Sequence, residues 1–158
     1  MTPSERSSNR PGRVAGIDYG TVRIGIALSD PGRTIASPHE NYTRRGKDQD
    51  ARRFRRLVEE EAVVLFVVGL PVHTDGHESQ KSQEAREFGA WLAETTGTEV
   101  VYFDERFSSA EAERFLIDAE MTSKRRRRRL DMVAASIILS AFLESDRRGQ
   151  NEPGALDD

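Results

Sequence analysis

Apolar residues recur along this chain in two spacings, one belonging to strands and one to helices. Val14, Ala15, Gly16 and Ile17 lead into Asp18 as a short apolar strand. A turn through Tyr19, Gly20 and Thr21 then precedes a second apolar run at 24–28, which predicts a β-hairpin. Pro31 and Gly32 mark the next turn, and 35–42 is a candidate third strand. Between Asp48 and Glu61, Ala51, Phe54, Val58 and Ala62 fall at three- and four-residue steps, the period of an amphipathic helix. The continuous, valine-rich run at 63–70 is too short for a membrane and suits a strand buried on both faces.

Helical spacing resumes at Ala85, Phe88 and Leu92, Gly97 ends that helix, and 100–103 supplies a further strand, so a parallel crossover is expected. Ser108 and Glu111 have capping-box spacing ahead of Ala112, Phe115, Leu116 and Ala119. The last helix is predicted over 132–143, with Asp131 at its start and Ala134, Ala135, Ile138, Leu139 and Phe142 as its buried stripe. Two polar ends, 1–12 and 145–158, read as disordered tails around one domain at 13–144. The fold class expected is α/β, a mixed sheet between helical layers.

Composition narrows the chemistry. With 158 residues, 36% of them hydrophobic, the chain suits one domain and one site. It has no cysteine, which excludes disulfides and thiolate metal sites and fits a reducing, cytoplasmic setting. The first thirteen residues carry three arginines and no apolar segment behind them, so they read as neither signal peptide nor membrane anchor. Net charge is -3, yet positive charge is concentrated in two places. Seven basic residues fall within 44–56, and Lys124, Arg125, Arg126, Arg127, Arg128 and Arg129 follow one another directly. Arginine far outnumbers lysine, and its planar fork matches phosphate oxygens. Such runs are also common on solvated faces, so their position relative to a site has to decide their role.

Candidate chemistry lies in carboxylates. Asp18 ends the first strand between Gly16 and Gly20; Asp104 and Glu105 end a later strand; Asp131 heads the face of the last helix that packs on the sheet. Carboxylates meeting at one sheet edge repel unless a cation or proton relieves them. Oxygen-only ligands favour Mg2+ or Mn2+, and a pair of such ions can stabilise both the attacking and the leaving oxygen of a phosphodiester. Each residue also has a plainer role: Asp18 as a turn residue, Asp131 as a first-turn acid favoured by the helix dipole, Arg106 as the neutraliser of Asp104, Ser108 as a cap. His73, Asp75 and His77 share one loop, which lacks the outer ligands that a zinc site needs.

Four ordered segments carry a resemblance to a known family. They are Gly16, Ile17, Asp18, Tyr19, Gly20 and Thr21 with Arg23, Ile24 and Gly25; Val68, Gly69, Leu70 and Pro71 with Asp75 and Gly76; Asp104, Glu105 and Arg106; and Asp131 with Ala134, Ala135, Ile137, Ile138 and Leu139. Over about 13–143 the chain resembles the YqgF family, also called RuvX, described as Holliday junction resolvases or nucleases of precursor ribosomal RNA. The resemblance implies an RNase H-like fold, a five-stranded mixed sheet flanked by helices. It also implies a hydrolase in which Asp18, Glu105 and Asp131 are catalytic and hold Mg2+ or Mn2+. It is the family pattern that selects Glu105 over Asp104, and Asp104 and Asp75 stay as candidates. Arg23 and Arg106 are expected to steer phosphates, and Lys124, Arg125, Arg126 and Arg127 match the family's basic loop before the last helix. Val22, His73, Ser108 and Ser109 depart from residues common in the family (lysine, asparagine and two threonines), and none of these exchanges removes an expected metal ligand.

The implied substrate is the 5' end of pre-16S ribosomal RNA, within ribosomal precursor particles, with branched DNA second. No membrane is involved, and the chain would act as a monomer or homodimer. Two other classes compete. One is a non-catalytic nucleic-acid binding module using the same arginines. The other is a nucleotide phosphotransferase, since the segment around Asp18 also resembles the phosphate loop of actin-like ATPases and sugar kinases; those need two large lobes, and this length supplies one.

Overall fold

The computed structural model describes residues 11–72, 78–109 and 124–149, with the backbone alone at 124–129 and 148–149. Strands β1 (Arg13–Asp18), β2 (Arg23–Ser29) and β3 (Ala36–Thr43) form an antiparallel meander. Helix α1 (Lys47–Glu61) leads to β4 (Val63–Leu70), and helix α2 (Gln80–Thr96) leads to β5 (Glu99–Asp104). A 3-10 turn (Glu105–Phe107) follows β5, and helix α3 (Lys124–Gly149) closes the described chain. The sheet order is β3-β2-β1-β4-β5, with β4 parallel to both β1 and β5. The expected five-stranded mixed sheet is therefore present, and the most continuous apolar run, β4, lies inside it.

Alternation along the strands divides the core in two. Ala15, Ile17, Ile24, Ile26, Leu28, Phe66, Val68 and Leu70 face α1 and α2, where they meet Phe54, Leu57, Ala85, Phe88 and Leu92. Val14, Ala27, Leu65 and Val67 point the other way, against Ala135, Ile138, Leu139 and Leu143 of α3. Ser79 caps α2 by accepting from the Ser82 amide at 3.1 Å, and Gly97 ends it in the left-handed conformation at φ 67°.

One boundary differs in a way that matters. Asp131 does not begin the last helix: α3 starts at Lys124, about two turns earlier. The arginine run that looked like a loop is helical, because arginine is a good helix former and neither glycine nor proline interrupts 124–131. The same helix continues through Ser145 to Gly149, into the segment whose polarity suggested a tail. Asp131 consequently gains nothing from a first-turn dipole. The helix expected after Ser108 lies outside the described residues, as does the loop holding His73, Asp75 and His77. No described helix is long and apolar enough to cross a membrane.

Candidate active site

The α3 face of the sheet is cleared of side chains around Asp18. In β2, Gly25 pairs directly with Asp18. In β4, the register Ile17 to Val68 brings Gly69 alongside Asp18 on the other side. A Cβ at Gly25 would collide with the Asp131 backbone carbonyl and lie 3.1 Å from the Asp131 Cβ. A Cβ at Gly69 would lie 3.0 Å from Oε1 of Glu105 and 2.7 Å from Cδ1 of Ile138. Two strand positions flanking Asp18 have thus given up their side chains, and Asp131 and Glu105 lie over the space. Only glycine permits both approaches.

This arrangement turns Glu105 back from the end of β5 over β4, the strand that lies between β5 and β1 within a span of two inter-strand spacings, about 10 Å. The Glu105 side chain crosses above Gly69. Further down the same face, a Cβ at Gly16 would come within 2.7 Å of Leu139 Cβ and 2.9 Å of the Ala135 carbonyl, so α3 lies almost on the backbone of β1. That close seat fixes the height of Asp131.

Asp18 and Glu105 are buried, at 6% and 7% exposure, and Asp131 is partly open. Asp104 behaves differently. Its carboxylate accepts from the Arg106 amide at 2.9 Å and from Arg106 Nε and Nη2 at 2.9 and 2.7 Å. Partial burial pushes the Asp104 pKa up, but the Arg106 hydrogen bonds and charge outweigh it and leave the group below the usual carboxylate range. Asp104 is occupied as the cap of the 3-10 turn, while Glu105 is turned inward. Ser108 closes the turn by donating its hydroxyl to the Glu105 carbonyl at 2.8 Å.

Arg23 stands beside the acids. Its Nε lies 3.8 Å from Asp131 Oδ2, an ion pair too long to be a hydrogen bond, and that nitrogen is buried without a hydrogen-bond acceptor among the described residues. The Arg23 side chain as a whole is 41% exposed, so its guanidinium is open to a phosphate oxygen. Arg106 is largely committed to Asp104. Lys124, Arg125, Arg126 and Arg127 lie on the first turns of α3, ahead of Asp131 on the same helix.

Among the described residues, no three Asp, Glu or His side chains are grouped closely enough to hold a metal ion as they stand. The donor chemistry nevertheless suits a hard cation, since the candidate ligands at this end of the sheet are all carboxylates and two of the three acids are buried. Sequence reasoning assigned no role to Gly25 or Gly69 individually. The signal was available in β4, where a glycine sits within a buried apolar run.

Comparison with known proteins places the chain in a family. A family model described as RuvX, Holliday junction resolvase, matches residues 12–145. The chain belongs to the RuvX family. A protein of Rhodopirellula baltica named "Putative pre-16S rRNA nuclease" is 44% identical, over 99% of this chain and 91% of its own. One of the same name from Koribacter versatilis is 39% identical over 90% and 93%. Among solved structures, Thermus thermophilus RuvC in complex with a Holliday junction substrate superposes with a TM-score of 0.53 at 12% identity, covering 84% of this chain and 95% of that one. A second structure of the same RuvC gives 0.50 at 14% identity, covering 87% and 96%. At that identity the likeness concerns the fold, which is RNase H-like. RuvX is a nuclease family, and the chain is accordingly a hydrolase of phosphodiester bonds.

Proposed function

We propose that Asp18, Glu105 and Asp131 form the catalytic centre of a divalent-metal-dependent endonuclease, acting in the cytoplasm on the 5' end of pre-16S ribosomal RNA. The observation that carries this reading is the pair of glycines flanking Asp18, over which the other two acids are laid. A structural role for Asp18 would not need its neighbours emptied on both sides.

In this reading Asp18, Glu105 and Asp131 would hold the metal. Mg2+ or Mn2+, when bound, supplies a Lewis acid that offsets charge on the phosphoryl group and lowers the pKa of a water nucleophile. The chain's own residues do the remaining work. Burial of Asp18 and Glu105 keeps their carboxylates in a weakly screened environment, which strengthens their hold on a cation. The seat of α3 on Gly16 and Gly25 fixes Asp131 without relying on a flexible loop. Arg23, whose side chain is 41% exposed beside Asp131, offers its guanidinium to a non-bridging phosphate oxygen beside the bond to be cut. Basic residues early in α3 hold flanking phosphates. Glu105 is preferred to Asp104 because Arg106 already engages Asp104.

The description of the family as Holliday junction resolvases favours a second substrate, branched DNA. Cleavage of matched pre-16S RNA and four-way junction DNA distinguishes the two, using wild type and Asp18→Asn with Mg2+, Mn2+ or excess chelator. The proposal expects metal-dependent cutting of the RNA, abolished in Asp18→Asn while binding persists. Cutting of the junction alone moves the substrate to DNA, and binding without cutting under every metal condition overturns the nuclease reading.

A further inference from the structure

The seven basic residues at 44–56 are not equivalent once placed, and one of them, Arg52, is simply exposed on α1. Arg53 pairs with Glu40, Arg56 pairs with Glu60, and Arg55 donates to the Thr95 carbonyl on α2. Arg44 is held at the corner between β3 and α1. Its Nε lies 3.4 Å from Asp50, its Nη1 donates to the Tyr19 hydroxyl at 3.1 Å, and its guanidinium stands 5.5 Å from the Tyr19 ring. Arg45 and Lys47, on either side of Gly46, are exposed, and neither makes an ion pair among the described residues.

The corner that carries them is rigidly built. Asp50, only 1% exposed, accepts from the Tyr42 hydroxyl at 2.6 Å and from the Arg45 amide at 2.8 Å. The Arg44 amide donates to the Val22 carbonyl at 2.9 Å, tying the corner to the turn that follows Asp18. Gly46 has φ 99°, a conformation that favours glycine, and a Cβ there would meet nothing within 4 Å, so the surface around it is open.

Its position relates it to the acids. Thr43 pairs with Arg23, and β3 lies two strands from β1, about 10 Å away. Along the axis of a duplex, that span is roughly three base-pair steps of 3.4 Å. Elsewhere on the molecule, the hollow formed by Gln80, Gln83, Glu84 and Glu87 on α2 has no buried ligand group. The Arg44 corner is the feature with both fixed geometry and uncommitted charge.

We infer that Arg45 and Lys47, presented on the corner fixed by Asp50, Tyr42 and Arg44, form a second phosphate-backbone contact that holds the substrate strand a few nucleotides from the cleaved bond. This inference rests on the nuclease reading and adds to it a surface separate from Arg23 and from the start of α3. The contact is with phosphates and reads no bases. Arg53, Arg55 and Arg56 serve the fold instead.

The test measures binding of the full chain to single-stranded RNA, and separately to duplex DNA, across a range of salt concentrations in excess chelator. The double variant Arg45→Gln with Lys47→Gln should reduce the slope of log affinity against log salt by about 1.4 on the single strand and about 1.8 on the duplex. The charge-matched control Arg55→Gln with Arg56→Gln should leave the slope unchanged. Equal slopes for wild type and the 45/47 variant, or an equal loss in both variants, overturn the inference. If Arg23→Gln still lowers the slope in that case, the nuclease reading survives; if wild type binds neither nucleic acid, both fall together.

Discussion

The two faces of the sheet are made of different residues and serve different ends. Towards α1 and α2 the core is large and aromatic. Phe54 contacts Tyr42, Phe66, Phe88 and Trp91 with ring centroids 5.7 to 6.4 Å apart, mostly edge to face. Towards α3 the sheet offers Gly16, Gly25, Ala27 and Gly69, and the helix replies with Ala134 and Ala135. Small residues let the helix backbone approach, at the cost of buried apolar area. One face therefore supplies most of the hydrophobic stabilisation, while the other leaves room for carboxylates where side chains are missing. A fold this size can place buried acids on one face because the opposite face packs densely.

The strongest way to separate the faces is to alter chemistry without altering volume. Asp18→Asn is expected to lower the single-turnover cleavage rate by about a thousandfold or more, while the melting temperature stays within a few degrees of wild type. A comparable loss of stability would mean that Asp18 serves the fold. Phe54→Ala breaks the other face: chemical denaturation should show a loss of about 3–5 kcal/mol, with the cleavage rate retained wherever the protein remains folded.

Gly69→Ala sharpens the contrast at a single position. The added methyl meets the ends of Ile138 and Glu105, which can yield, so the stability cost should be about 1–3 kcal/mol. Cleavage should fall by about a hundredfold, because Glu105 is pushed from its place over Gly69. If the rate is unchanged, Glu105 does not act from this position.

A smaller effect is expected at high pH. Burial, then the hydrogen bond to Asp50, pushes Tyr42 up from 10.0 to about 12. The raised value means that the contribution of Tyr42 to stability is complete below pH 10 and is lost as pH rises towards 12. Stability measured between pH 9 and about 12.5 should therefore decline less steeply in Tyr42→Phe than in wild type. Identical pH profiles would show that the Asp50 corner is not held through this hydroxyl.

The contrast between the faces was only half legible in the sequence. The aromatic face announces itself, since Phe54, Phe88 and Leu92 fall at helical spacing and β4 is continuously apolar. Asp18 and Glu105 stand out at strand ends and Asp131 at the buried face of the last helix, and the family resemblance groups the three. What spacing could not give was how Glu105 crosses an intervening strand, because that depends on β4 being placed between β1 and β5 and on Gly69 falling in register with Asp18. The extent of α3 was misjudged for a simpler reason. Hydrophobic periodicity detects the buried length of a helix, and α3 extends beyond its buried stripe at both ends, through arginines at one and mixed charges at the other. The Asp50 corner left no pattern, since a buried aspartate among arginines looks like any other member of a charged stretch.

The central claim is that Asp18, Glu105 and Asp131 act as one unit, and kinetic coupling tests it most directly. Single-turnover cleavage in Mg2+ would be measured for Asp18→Asn, Glu105→Gln, Asp131→Asn and the three pairwise combinations, each confirmed as folded and substrate-binding. Residues that act together lose activity non-additively, so each pair should be scarcely slower than its slower single variant. Pairwise losses that multiply, or any one of the three substitutions that leaves the rate at the wild-type level, would contradict a shared site.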